Sequence, residues 1–198
     1  MRPLPFSHQS AYAIVFWSTY GLWIVIESIG SVRKRAGERS RGRDRGSFIS
    51  IQFFVGLGIG LDFALSFLLP QAAIPSDRAL IFAIGIFLML SGLTLRLYCM
   101  SLLGRFFTYH VAIHPGHTLI ENGPYRYIRH PSYTGALLTL LGFALALGNW
   151  AGLLVLLVMA AMGYGYRMRV EEAALVDALG ERYRQYQQRT KRLIPFLL

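Results

Sequence analysis

His117-Thr-Leu-Ile-Glu-Asn-Gly-Pro-Tyr-Arg-Tyr-Ile-Arg-His-Pro-Ser-Tyr133 is a polar island between two long apolar runs. It packs two histidines, two arginines, three tyrosines and two prolines into seventeen positions. Proline lacks the amide donor and restricts the residue before it, so Gly123-Pro124 and His130-Pro131 cannot both lie inside a regular helix. So many donors and aromatic faces where apolar segments end predict a pocket wall at a membrane boundary.

The rest of the chain supplies the membrane. Of 198 residues, 54% are hydrophobic and 15% charged, and mean hydropathy is +0.43. A soluble domain carries roughly a quarter charged residues. Apolar residues fall in blocks rather than alternating, which predicts an all-α polytopic membrane bundle forming one domain over residues 1–198. Met1 to Ser10 carries only Arg2 and no small-residue cleavage site follows, which argues against a cleavable signal peptide.

A span needs about 20 mostly apolar residues. Ala11 to Ile29, Phe48 to Leu69, Ala79 to Met100, Thr134 to Leu147 and Ala151 to Tyr166 give about five transmembrane helices. The fourth is short, and only Gly148-Asn149-Trp150 joins it to the fifth, so these two form an antiparallel hairpin. Pro75, Ser76 and Asp77 are turn and cap signals before the third span. Gly56-Leu-Gly-Ile-Gly60 carries the small-xxx-small spacing of close helix approach. Arg167 to Arg189 reads as an amphipathic helix with Leu175, Leu179, Tyr183 and Tyr186 on one stripe and Pro195 ending the pattern.

A net charge of +10 would suit nucleic acid, but its distribution excludes that partner. Placing residues 31–47, 96–132 and 167–198 on one side collects 18 of the 20 basic residues. That side is then cytoplasmic, with the amino terminus outside and the carboxyl terminus inside. Arg33 to Arg45, with seven basic residues against two acids, reads as a hydrated loop that also favours anionic membrane lipids. Asp62 lies within the second span; an intramembrane acid is a functional candidate, although one near the outer third can simply reach a polar neighbour. Cys99 is the sole cysteine and reads as a packed residue. His110, His114 and His117 suggest metal by composition, but Pro115-Gly116 breaks any common face and no metal is expected.

The hairpin should bring the Arg-His-Pro-Ser-Tyr element beside Glu171 and Glu172, with Arg167 on the Glu171 face. Gly-Pro-Tyr-Arg-Tyr-Ile-Arg-His-Pro-Ser-Tyr, then Glu-Glu and Leu-Gly-Glu-Arg-Tyr-Arg-Gln-Tyr, resembles the isoprenylcysteine carboxyl methyltransferase family. Phospholipid methyltransferases share the Arg-His-Pro and Glu-Glu elements. The resemblance covers roughly residues 100–198; residues 1–100 match only in being hydrophobic.

That resemblance implies a membrane methyltransferase using S-adenosylmethionine, with residues 101–198 as its cofactor-binding and catalytic half. It assigns the cofactor to His117, Thr118, Leu119, Ile120, Tyr125, His130, Pro131, Ser132, Tyr133 and Glu171, and the substrate to Arg167. The implied acceptor is an isoprenylcysteine-type or analogous lipophilic carboxylate, small or carried on a lipidated partner, entering from the bilayer. The rival readings are N-methylation of an amine headgroup and a binding protein of the same fold without turnover. Each residue also has a plainer role: the histidines as loop cross-links, the tyrosines as interfacial anchors.

Overall fold

The computed structural model describes residues 10–33, 44–75, 77–109 and 118–195, and within these the secondary structure is helical apart from isolated bridges. The helices are α1 (Ser10–Arg33), α2 (Ser47–Leu68), α3 (Arg78–Leu103), α4 (Pro131–Leu147), α5 (Trp150–Leu179) and α6 (Glu181–Arg189). Among the described residues, α1, α2, α3 and α5 are long and apolar enough to cross a membrane, and α4 is the shorter apolar helix.

Helix lengths set the depth of the polar island. At 1.5 Å per residue, the 17-residue α4 is about 25 Å long, short of the ~30 Å hydrocarbon core. The 30-residue α5 reaches about 45 Å and must project beyond it. The fifth helix therefore does not stop at Tyr166: its last turns carry Glu171 and Glu172 beyond the length of the hydrocarbon core, with Arg167 just inside that limit. It breaks at Gly180 (φ 58°), the backbone conformation that glycine adopts without penalty, and α6 begins at once. The expected single amphipathic helix is thus two, with only Tyr183 and Tyr186 of its stripe on α6, which ends at Arg189 as read.

Two helix pairs form the frame. Gly85 and Gly92 of α3 meet Gly142 and Gly135 of α4, backbone against backbone; a Cβ on Gly92 would lie 2.6 Å from the Thr139 nitrogen. α2 packs on α5, where Gly58 leaves space for Leu156 and Met159. Gly56 and Gly60, the residues of the small-xxx-small spacing, have no packed neighbour among the described residues. α1 rests on rings: fully buried Phe16 lies 5.4 Å from Phe143 and 6.1 Å from Phe63, and Tyr12 lies 4.8 Å from Phe82.

The connections sort to two ends. At one, the Ile74 amide donates to the Gly148 carbonyl at 2.8 Å, Asn149 caps α5, and Asp77 caps α3 as its position suggested. At the other, the polar island, the end of α1, the start of α2 and the projecting part of α5 converge. Cys99 is buried, as read. Asp62 is fully buried, and neither carboxylate oxygen has a hydrogen-bond partner among the described residues, contrary to the expected polar neighbour. It sits over Gly152 in the first turn of α5, where any larger residue would strike it.

Candidate functional site

The polar island folds as a bent connection rather than a helix, as its prolines require. A short 3-10 turn spans Gly123–Arg126, with Gly123 at φ 58°. Pro131 then opens α4 at a position where the missing amide costs nothing, with His130 as the cap residue. The segment is pinned from the carboxyl-terminal side. Arg129 and His130 amides donate to the Lys191 and Arg192 carbonyls (2.8 and 3.0 Å), and the Tyr186 hydroxyl donates to the Tyr125 carbonyl at 2.6 Å.

The Glu171-Glu172 pair divides its labour. Glu172, 4% exposed, takes Arg129 Nε at 2.9 Å, His130 Nε2 at 3.1 Å and Arg192 Nη2 at 2.8 Å. That hydrogen bond to Glu172 also raises the pKa of the Arg192 guanidinium above its ordinary value. Glu171 instead faces a cavity, with Oε2 accepting from the Tyr133 hydroxyl at 2.6 Å and lying 4.0 Å from His130 Nδ1. The His130 ring stacks on Tyr133 at 5.3 Å between centroids.

Arg167 lies behind this group and is 4% exposed. Its Nε donates to the Tyr133 hydroxyl (3.2 Å), Nη1 to Asp44 and Ser47 Oγ (2.7 Å), and Nη2 to the Tyr109 carbonyl (2.8 Å). These bonds use four of the guanidinium's five N–H donors. Arg167 and Glu171 are joined through Tyr133 rather than as a surface ion pair.

The cavity encloses about 510 Å³, within the ~300–1,000 Å³ of small-molecule sites. His130, Tyr133, Arg129 and Glu171 line its polar end, and Trp23, Val55, Ile59 and Ala136 its apolar side. Burial holds the Tyr125 and Tyr109 phenols well above the usual tyrosine range, so both stay neutral hydrogen-bonding groups.

Of the residues assigned from sequence, Tyr125, His130, Ser132, Tyr133, Arg167 and Glu171 all line this one cavity. Pro131 is buried beside it. Thr118 is exposed, Leu119 and Ile120 are half-buried, and the cavity lining does not include them. His117, His110 and His114 lie outside the described residues. The residues that sequence reasoning missed are Glu27, Arg96, Asp44 and Tyr109. Arg96 counts in the sequence only toward topology and Asp44 only as one of two acids in a hydrated loop, yet Arg96 is 7% and Asp44 3% exposed. An ionised residue inside an apolar run was the available signal for Glu27 and Arg96; nothing local marked Asp44 or Tyr109.

Fold and site together define a polytopic membrane protein with a ligand-sized cavity at one end of its bundle, polar where α4 begins and apolar between the helices. Residues 83–177 match the isoprenylcysteine carboxyl methyltransferase (ICMT) family. Over that stretch, just under half of its length, the chain is similar to the family, and it is an integral membrane protein. It is 35% identical over 108 residues to a protein-S-isoprenylcysteine O-methyltransferase of Schizosaccharomyces pombe, covering 54% of this chain and 46% of that one. The Saccharomyces cerevisiae protein-S-isoprenylcysteine O-methyltransferase is 30% identical over 137 residues, 67% of this chain and 57% of that one. Among solved structures, the eukaryotic intramembrane Ras methyltransferase ICMT superposes with a TM-score of 0.61 at 25% identity, over 72% of this chain and 51% of that one. The chain spans about half the length of the curated relatives it matches.

Proposed function

We propose that this chain is an S-adenosylmethionine-dependent methyltransferase that esterifies the carboxylate of a lipophilic, isoprenylcysteine-type acceptor, free or carried on an isoprenylated protein. The observation that carries this reading is the single cavity in which a Tyr133–Glu171 polar end runs into an apolar wall. The donor set suits the cofactor: a half-exposed carboxylate for its ammonium or ribose, and neutral aromatic faces for its positive charge.

Bound there, S-adenosylmethionine supplies an activated methyl group. Glu171, oriented by Tyr133, holds the cofactor's polar groups, and His130 and Tyr125 wall it in. His117, Thr118, Leu119 and Ile120 keep the cofactor role that the family resemblance assigns. Pro131 and Ser132 fix the turn from which His130 and Tyr133 project. Arg167 is a positioning residue, because its guanidinium is committed to Tyr133 and Asp44.

The chain's contribution is alignment and exclusion of water, which can supply on the order of 7–11 kcal/mol of such a barrier. A carboxylate acceptor is already ionised at neutral pH and needs no base, in keeping with a His130 whose Nε2 is occupied by Glu172. The acceptor enters from the bilayer between helices. The polar end faces the cytoplasm with the amino terminus outside, supported by the basic residues gathered there.

Methyl-labelled cofactor incubated with N-acetyl-S-farnesylcysteine should give a base-labile labelled ester. A stable labelled methylamine in lipid extract would turn the reading to N-methylation, and no cofactor binding at millimolar concentration would remove both. Glu171→Ala should weaken cofactor binding about tenfold or more, as loss of a charged hydrogen-bond partner does; wild-type affinity would contradict its role.

A further inference from the structure

Three arginines line the cavity; Arg129 is held by Glu172, whereas Arg96 and Arg167 are each held by a carboxylate from the amino-terminal half, outside the family-matched segment. The two pairs differ in what would happen if the carboxylate left. Asp44 has a side chain 5% exposed and also accepts from Ser47 Oγ and the Phe48 amide, both at 3.1 Å. Removing it from Arg167 would strand a buried charge, which is costly.

Glu27 is placed otherwise. Its carboxylate takes Arg96 through Nε and Nη2 together, the latter at 2.9 Å. It also accepts from the Tyr109 hydroxyl at 3.1 Å, a donor that an incoming carboxylate on Arg96 would also meet. Arg96 Nη1 turns to the Ser132 hydroxyl and carbonyl (3.2 and 3.4 Å). The Glu27 side chain is 24% exposed against 8% for Arg96, and it lines the cavity from α1 beside Ser28 and Ser31. An acid arriving from the apolar side would present the same group to the same two donors. Glu27 could swing toward water at the polar end, so one carboxylate replaces another and no buried charge is left unpaired. Ser132 links this arginine directly to the turn that carries His130 and Tyr133.

We propose that Arg96 is the docking site for the acceptor's carboxylate, and that Glu27 occupies it as an exchangeable internal carboxylate until the acceptor displaces it. The inference rests on the reading of the acceptor as a lipophilic acid. It makes the amino-terminal wall a determinant of specificity: Glu27 sets the threshold that any acid must exceed, and an uncharged analogue gains nothing from Arg96.

The test is calorimetric titration of the full chain in detergent with N-acetyl-S-farnesylcysteine, its primary amide, and S-farnesylcysteamine. The wild-type protein should prefer the acid to the amide. Glu27→Gln should bind the acid about three- to tenfold more tightly with the amide unchanged, since the competing charge is gone. Arg96→Gln should lose the acid-over-amide preference. Should that variant not fold, Arg96→Lys, which keeps the charge but not the fork, should narrow the preference, and Glu27→Gln decides by itself.

No binding of the acid, equal wild-type affinity for acid and amide, or weaker or unchanged acid binding in Glu27→Gln would overturn the proposal. So would tighter wild-type binding of the amine that is lost in Glu27→Gln. The methyl-label experiment reads separately. Label transfer without an acid preference removes only the docking site, whereas an acid preference without label transfer removes the methyltransferase reading and keeps the docking site.

Discussion

The α3–α4 seam and the seat of α1 hold helices by opposite means. In the seam, four glycines let two backbones touch, and no side chain can adjust if one of them grows. α1 lies on rings, Phe16 against Phe143 and Phe63, with Trp17 stacked on Phe63 at 5.7 Å, and adds one ion pair at its end. Rings can be exchanged for other apolar shapes with little loss; a backbone contact cannot. The seam fixes where α4 starts, hence where His130 and Tyr133 sit, whereas α1 walls the cavity and brings Glu27 to Arg96. The division follows the family match, which begins at residue 83 and leaves α1 and α2 outside.

Glu172→Ala should strike the built half hardest. It strips the partner from Arg129, His130 and Arg192 at once and frees the segment on which the site is mounted. Removing one member of a buried ion-pair group costs about 3–5 kcal/mol, and thermal unfolding in detergent would register it. Glu171→Ala, one residue away but facing the cavity, should leave the melting temperature within a few degrees. Equal melting losses in the two variants would erase the distinction between hub and ligand.

Adding a single methyl in the seam is the next largest change. Gly92→Ala brings a Cβ to 2.6 Å from the Thr139 nitrogen, so α3 and α4 must part. Overpacking of this kind costs about 1–3 kcal/mol, and the parting should lower cofactor affinity too because it moves the start of α4. Phe16→Leu removes a whole ring from the seat of α1, yet should cost less, under about 1.5 kcal/mol, as hydrophobic replacements that keep most of the volume do. Reversal of that order would show that α1 is part of the rigid frame.

The fold was largely legible because blocks of apolar residues and charge between them are properties of single segments. The hairpin, the caps at Asp77 and Asn149 and the bend at the prolines all follow from local rules. The glycine seam was also written in the chain, as Gly85/Gly92 and Gly135/Gly142, each pair seven residues and two turns apart; the denser Gly56–Gly60 run drew attention from it. Within the site, Tyr133 and Glu171 could be paired because a hairpin must bring its ends together. The partners of Arg167 and Arg96 could not, since Asp44 and Glu27 lie more than a hundred and nearly seventy residues away and no local pattern points across that distance. Nor does anything in Glu-Glu say which carboxylate faces inward; the turn of α5 past the membrane decides it.

The smallest effect concerns how the site is pinned from α6. The Tyr186 hydroxyl donates to the Tyr125 carbonyl at 2.6 Å, and Tyr186 is 2% exposed. Tyr186→Phe keeps the ring and loses that bond, a cost of about 1 kcal/mol at neutral pH. Burial first, and then the Glu121 carboxylate, push the Tyr186 phenol well above its ordinary 10.0. The folded protein therefore keeps a proton that the unfolded chain gives up, so stability is full below pH ~10 and falls as pH rises beyond it. Tyr125 and Tyr183, raised mainly by burial, act in the same direction. Phenylalanine at 186 has no proton to lose, so the variant starts lower at pH 7 and its melting temperature should decline less steeply between pH 9 and 11. Parallel melting curves across that range would mean that Tyr186 titrates alike in the folded and unfolded states and that the hydroxyl matters only through its bond to Tyr125.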